Sequence, residues 1–226
     1  LHRRLDTLTK GCKALSLDVF DTLLLRDRSS EITRFHEVGA AMAKIAETRL
    51  RRRVSAVDGL LARHLGTKAT YRAAPTAQGC REGSLTELHR TASRLIAGDD
   101  SLTDDFIAAE LDIEEARLAP NPCLSAYIDR FRKAGGLFSS ADTRVSKASG
   151  RIFALVEEAM GLSPADFVHA GDSLRGDFAQ PIRRGWAAQH LPLGEAEISV
   201  RRACHIATAR LLEETHHLTL DIALPH

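Results

Sequence analysis

Three short stretches hold the residues whose types and spacing could do chemistry. LSLDVFDTLLLR (15–26) places Asp18 and Asp21 after an apolar run. FVHAGDSLRGD (167–177) ends a second apolar run in Asp172 and Asp177. Between them, LFSS (137–140) ends in Ser139 and Ser140, and Lys147 is the second residue of SKASGRIF. Carboxylates, a lysine and small hydroxyls gathered at one place suit phosphoryl transfer. A carboxylate can attack phosphorus and form an aspartyl-phosphate. Mg²⁺ held by carboxylates and a backbone carbonyl neutralises phosphate oxygens. A lysine stabilises the charge that develops, and hydroxyls donate to the oxygens.

The elements needed to gather these groups are also written in the sequence. Ala14 to Leu17, LFSSA, DFVHAGD and WAAQHL read as short buried strands, and helical patterns separate the later ones. Strand alternating with helix predicts a parallel sheet, whose ligands sit at the carboxyl ends of the strands. Residues 29–119 read as almost all helix. Ser29 or Ser30 is an N-cap candidate, a second helical pattern covers 54–65, and GTKATYRAAPTAQGCREG looks irregular. Ser84 to Glu87 forms a capping box closed at Gly98, Ser101 to Asp104 resembles a further cap, and Pro120 stops that helix. The expected class is α/β: a parallel-sheet, Rossmann-like core from 1–28 and 120–226, interrupted by an all-helical insertion, 29–119.

LSLDVFDTLLLR resembles the first motif of the haloacid dehalogenase-like (HAD) hydrolases, with Asp18 as nucleophile and Thr22 four residues later. SKASGRIF resembles the lysine motif through Lys147, and FVHAGDSLRGD resembles the acidic metal motif. The helical insertion matches a cap in position and helicity. The resemblance covers about 14–26 and 120–192. It implies a Mg²⁺-dependent phosphatase of a small phosphorylated metabolite. Asp18, Asp172, Asp177 and the Phe20 carbonyl would hold the metal, with Lys147 stabilising the transferring group and Ser140 binding a phosphate oxygen. Phosphatases of this kind usually carry a second Asp two residues after the nucleophile, where this chain has Phe20. Asp21, one residue further, is either a replacement acid and base or a turn residue bound to backbone amides. The 135–147 segment is also short. Either LFSS is the second-motif strand and the unit after it is lost, or that strand is lost and LFSS is the later one. These departures leave two further readings: a degenerate domain that binds or regulates, and a dehalogenase-like, carbon-centred hydrolase.

The remaining composition bounds the function classes. A net charge of +1 offers no basic field for nucleic acid. No apolar run approaches the ~20 residues that span a bilayer, so no membrane partner is expected. Cys12, Cys80, Cys123 and Cys204 lack metal spacing and read as reduced thiols, which suggests a cytoplasmic setting. The chain starts at Leu1 rather than Met and is compatible with one domain of a longer protein. His169 reads as a packed core histidine rather than a ligand, and Arg49 to Arg53 as a solvated helix face.

Overall fold

The computed structural model describes residues 2–75, 83–139 and 145–225. The chain forms two compact units, one from 2–26 and 118–193, the other from 27–75, 83–117 and 194–225.

The first unit is built on a four-stranded parallel sheet in the order β4–β1–β5–β6. These strands are Leu137–Ser139, Ala14–Leu17, Phe167–Gly171 and Ala187–His190. Side chains alternate between the faces, as the pleat requires. Leu15, Leu17, Val168 and Ala170 meet Leu5 of α1 (His2–Leu8) and Leu124, Tyr127 and Ile128 of α6 (Pro122–Lys133). On the other face Ala14 and Phe167 meet Phe153 of α7 (Arg151–Met160) and Trp186. Phe167 stacks on Trp186 with centroids 4.2 Å apart, a pairing worth ~0.5–1.5 kcal/mol beyond its buried area. A turn of π-helix, Leu174–Ala179, and α8 (Gln180–Arg184) link β5 to β6. A separate ribbon pairs β2 (Leu24–Arg26) with β3 (Leu118–Pro120), where the chain leaves and re-enters this unit. Pro120 therefore ends a strand, not the helix before it.

The sheet places the start of the 135–147 segment. β4 pairs directly with β1 over Leu137 to Ser139, opposite β5. Only seven residues then precede Lys147, too few for a helix and a strand. Leu137–Ser139 thus supplies the strand beside β1.

The second unit packs α2 (Glu31–Leu50), α3 (Ala56–Ala73), α4 (Leu85–Ala97), α5 (Thr103–Ala116) and α9 (Glu195–His216). Ser30, Ser55 and Ser84 cap α2, α3 and α4 by accepting from backbone N–H groups. Val38, Met42, Ala46, Ala92, Ile96 and Phe106 form its main core. Three expectations change here. First, α3 runs on to Ala73 instead of ending at 65. Gly66, read as a break, is a contact point: a Cβ there would lie 2.5 Å from the Leu88 carbonyl oxygen. Second, α5 begins at Thr103 without a side-chain cap, and the Ser101 N–H bonds back to Asp99. Third, the core was expected to extend to 226, but α9 belongs to the helical unit, where Leu212 packs on Ile32 and Leu60. No helix among the described residues is long and apolar enough to cross a membrane.

A buried ion group lies inside this unit. Arg63 Nε and His89 Nε2 each donate to Glu110 Oε2 at 2.8 Å, and Arg63 lies 3.4 Å above the Phe35 ring. Burial alone would raise the Glu110 pKa, but the bonds from His89 and Arg63 outweigh it and hold it at about 2. The stabilisation is complete above the ordinary carboxylate value of 4.5 and is lost as pH falls towards about 2. Glu110→Gln should therefore lower the unfolding free energy at pH 7 by about 3 kcal/mol, since Arg63 loses its counter-ion. It should also flatten the acid loss of stability below pH 4.5, measured by urea melts across pH. Gly66→Ala should destabilise the unit by about 1–3 kcal/mol, although alanine is the better helix former; a thermal melt checks the sign.

Candidate active site

The pairing of β1 with β5 builds the site. Ser16 lies opposite His169 and Leu17 opposite Ala170, so Asp18 and Asp172 leave neighbouring strands at the same edge. The Asp18 N–H donates to the Ala170 carbonyl at 2.9 Å, extending the pairing one step past β1. The turn that follows closes through wide bonds, Leu23 N–H to the Asp18 carbonyl and Leu24 N–H to the Val19 carbonyl. Asn121, the N-cap of α6, clamps this turn from the far side. Its side-chain amide donates to the Thr22 carbonyl at 3.0 Å, and its backbone N–H to the Leu23 carbonyl at 2.8 Å.

Beyond β5 the loop is equally closed. Ser173 N–H donates to Asp177 Oδ2 at 2.9 Å, Asp177 N–H donates to the Ser173 carbonyl, and Gly176 N–H donates to Ser173 Oγ. His190 at the end of β6 donates from Nε2 to the Asp172 carbonyl at 2.9 Å. Gly171 is required by contact: a Cβ there would sit 2.5 Å from Asp177 Oδ2. Lys147 opens a short 3₁₀ turn, Lys147–Ser149, held by Gln180 through the Ala148 carbonyl. Its ammonium pairs with Asp18 and, at 2.7 Å, with Asp177 Oδ1.

Asp18, Asp172 and Asp177 each offer an oxygen, and these lie within 4.8 Å of one another. Asp177 is fully buried. Burial alone would raise its pKa, but bonds from His169 and Lys147 hold it at about 2. Asp172 goes the other way: burial, then the neighbouring charges of Asp18, Asp177 and Asp21, push it up to about 6. Burial works against the charged form of Lys147 as well, but its bonds to Asp177 and Asp18 raise its pKa above the ordinary lysine value. This donor set fits Mg²⁺: the cation takes carboxylate oxygens at about 2.1 Å, which puts opposite ligands about 4 Å apart. A further positive charge would also relieve the repulsion on Asp172.

The expected residues divide clearly. Asp18, Lys147, Asp172 and Asp177 are brought together. Asp21 belongs to the turn, at φ +57°, the left-handed region that Asp tolerates better than most residues. Its Oδ1 accepts from the Arg26 N–H at 3.4 Å and its Oδ2 faces the Arg26 guanidinium at 3.6 Å. Phe20 is half exposed, with Arg26 4.0 Å above its ring. Ser139 lies in β4, and Ser140 lies outside the described residues. The Asp177 carboxylate accepts from His169 and Lys147 across the fold. Asn121, Ser173 and the partners of His169 were missed. Asn-Pro before an apolar helix is a capping signal, but nothing local shows that its amide also holds the turn after Asp18.

No family model matches the chain, and no curated protein matches it. Solved structures do. A HAD phosphatase from Thermococcus onnurineus shares 16% identity over 81% of this chain and 87% of that one, with a TM-score of 0.51. An L-2-haloacid dehalogenase from Xanthobacter autotrophicus shares 17% over 88% and 85%, with a TM-score of 0.45. A HAD family enzyme from Bacteroides thetaiotaomicron, solved with magnesium and inorganic phosphate, shares 14% over 82% and 96%, with a TM-score of 0.46. At such identity the likeness to the Thermococcus onnurineus structure speaks for the fold alone.

Repulsion among the three carboxylates has a measurable cost. Asp172→Asn should raise the melting temperature of the chain in EDTA at pH 8, because it removes a half-buried charge that its neighbours oppose. The gain should shrink or reverse when MgCl₂ replaces EDTA.

Proposed function

The chain has the HAD-like fold, and from that premise we propose that it is a Mg²⁺-dependent phosphatase of a small phosphorylated molecule, acting through an aspartyl-phosphate on Asp18. The observation that carries this reading is the convergence of Asp18, Asp172 and Asp177 oxygens with the Lys147 ammonium at the carboxyl ends of β1 and β5. Asp18, Asp172, Asp177 and the Phe20 carbonyl would hold Mg²⁺, which supplies charge neutralisation to the phosphate oxygens. Asp18 attacks phosphorus, and the leaving alkoxide takes a proton from solvent or an acid. Lys147 holds the Asp18 carboxylate in place and stabilises charge on the transferring group. Ser140 donates to a phosphate oxygen. Water then attacks the phosphorus of the acyl phosphate, which returns Asp18 and releases phosphate. Asp21 is the acid and base candidate left by the Phe20 substitution, and it would have to turn from Arg26 to serve.

The pairing of Asp21 with Arg26 and the presence of Phe20 favour a second reading, a catalytically degenerate domain that binds or regulates. Turnover of p-nitrophenyl phosphate separates the two, since its leaving group needs no acid. The phosphatase reading expects MgCl₂-dependent release of nitrophenolate that EDTA abolishes. It also expects a loss of about 10³-fold or more in Asp18→Asn, which removes the nucleophile. Beryllofluoride with MgCl₂ should give an adduct on Asp18. No turnover across a panel of phosphate esters, and no adduct, would leave the degenerate reading.

A further inference from the structure

His169 has a role that its place in the sheet conceals. It lies in β5 directly opposite Ser16 of β1, both on the α7 face, and its ring meets Phe153 edge-on at 5.4 Å. The side chain is 3% exposed. Nδ1 lies 2.9 Å from Ser16 Oγ, and Nε2 lies 3.1 Å from Asp177 Oδ1. An ionised carboxylate only accepts, so Nε2 must carry the proton. In the neutral ring Nδ1 then has a lone pair, and the Ser16 hydroxyl donates to it. Each partner fixes the direction of the next bond: Ser16 to His169, His169 to Asp177.

This line ends where the reaction would begin. Asp177 Oδ1 receives His169 from below and Lys147 from the site, while Oδ2 receives the Ser173 N–H. The carboxylate is pressed against Gly171 on one side, with no room for a Cβ between them. Its rotation is therefore set by three donors from three segments of chain. A packing histidine would be cheaper as a phenylalanine or leucine, because a buried imidazole costs free energy unless both nitrogens are bonded. Here both are bonded, and one bond is spent on a site carboxylate.

We propose that His169 is a positioning residue: held in its Nε2–H tautomer by Ser16, it aims the Asp177 carboxylate at the divalent cation and at Lys147. This rests on the metal-dependent reading above. Partners that orient metal-ligating groups typically contribute 10–100-fold in metal affinity, which sets the expected size of the effect.

The test uses the whole chain with His169→Phe, His169→Gln and Ser16→Ala. Long-range ¹H–¹⁵N spectra of the metal-free wild type should show His169 protonated on Nε2 and bare on Nδ1, a preference that Ser16→Ala weakens. Calorimetric titration with MgCl₂ should show about 10-fold or more weaker binding in His169→Phe. His169→Gln, whose amide can still donate to Asp177, should recover most of it. The MgCl₂ concentration for half-maximal p-nitrophenyl phosphate turnover should shift in parallel, with a smaller change in kcat at saturating MgCl₂. A ring protonated on Nδ1 in the wild type overturns the proposal. So do folded variants whose melting temperature falls while their Mg²⁺ binding equals that of the wild type. A wild type that binds no Mg²⁺ overturns the metal reading and the cation part of this role with it, while the spectra still decide whether Ser16 sets the ring.

Discussion

Three carboxylates with oxygens within 4.8 Å of one another, set against the Lys147 ammonium, are the constraint around which the first unit is organised. Such a group is unstable by itself, because each added negative charge raises the cost of the next. The fold distributes that cost unevenly. Asp177 is sunk under the site and surrounded by donors, so it stays ionised with a pKa of about 2. Asp172, nearer the surface with fewer donors, carries the strain and moves up to about 6. Lys147 spans Asp18 and Asp177 and sets one positive charge against both carboxylates. Two aspartates five residues apart thus behave oppositely, and what separates them is the number of hydrogens aimed at each.

That distribution needs fixed loops, and each loop is closed twice. The turn after Asp18 is bonded internally and is clamped by Asn121, whose other task is to start α6. The loop after Asp172 is bonded internally and is held by His190. Phe20 and Asp21 belong to the first of these turns. Arg26 engages both, over the ring of one and beside the carboxylate of the other. The departure from the usual acidic pattern is therefore built into the turn and its supports.

The strands, their parallel direction and the placing of Asp18 and Asp172 at one edge were legible because they depend on local pattern: short apolar runs, two of them followed by Asp. The cap serines of α2 and α4 were legible from local pattern too, whereas Ser55, which caps α3, lay inside the expected helical stretch. What stayed hidden was set by contacts between distant segments. Gly66 reads as a breaker until Leu88 is seen against it. The glycine–threonine–lysine stretch after it reads as loop, yet tertiary packing keeps it helical. His169 reads as core, and it is core; that it also serves the site follows only from the register that puts Ser16 beside it. Asp21 could be placed in a turn or in chemistry from sequence alone, and a left-handed φ with an arginine partner is information that only the backbone holds.

The position of α9 has a consequence for how the chain is made. Ile32 and Leu60 precede the last strand of the sheet in the chain, but Leu212, which clusters with them, follows it, with Leu218, Leu220 and Ile222 behind it. The first unit has all its strands once residue 190 is out. During translation the helical unit must therefore wait, with part of its apolar surface open, while an unrelated sheet is completed from chain on either side of it. A chain cut after residue 193 would hold all four strands of this sheet but lack Leu212 and the apolar residues behind it, leaving Ile32 and Leu60 open to chaperones that recognise exposed leucine and isoleucine.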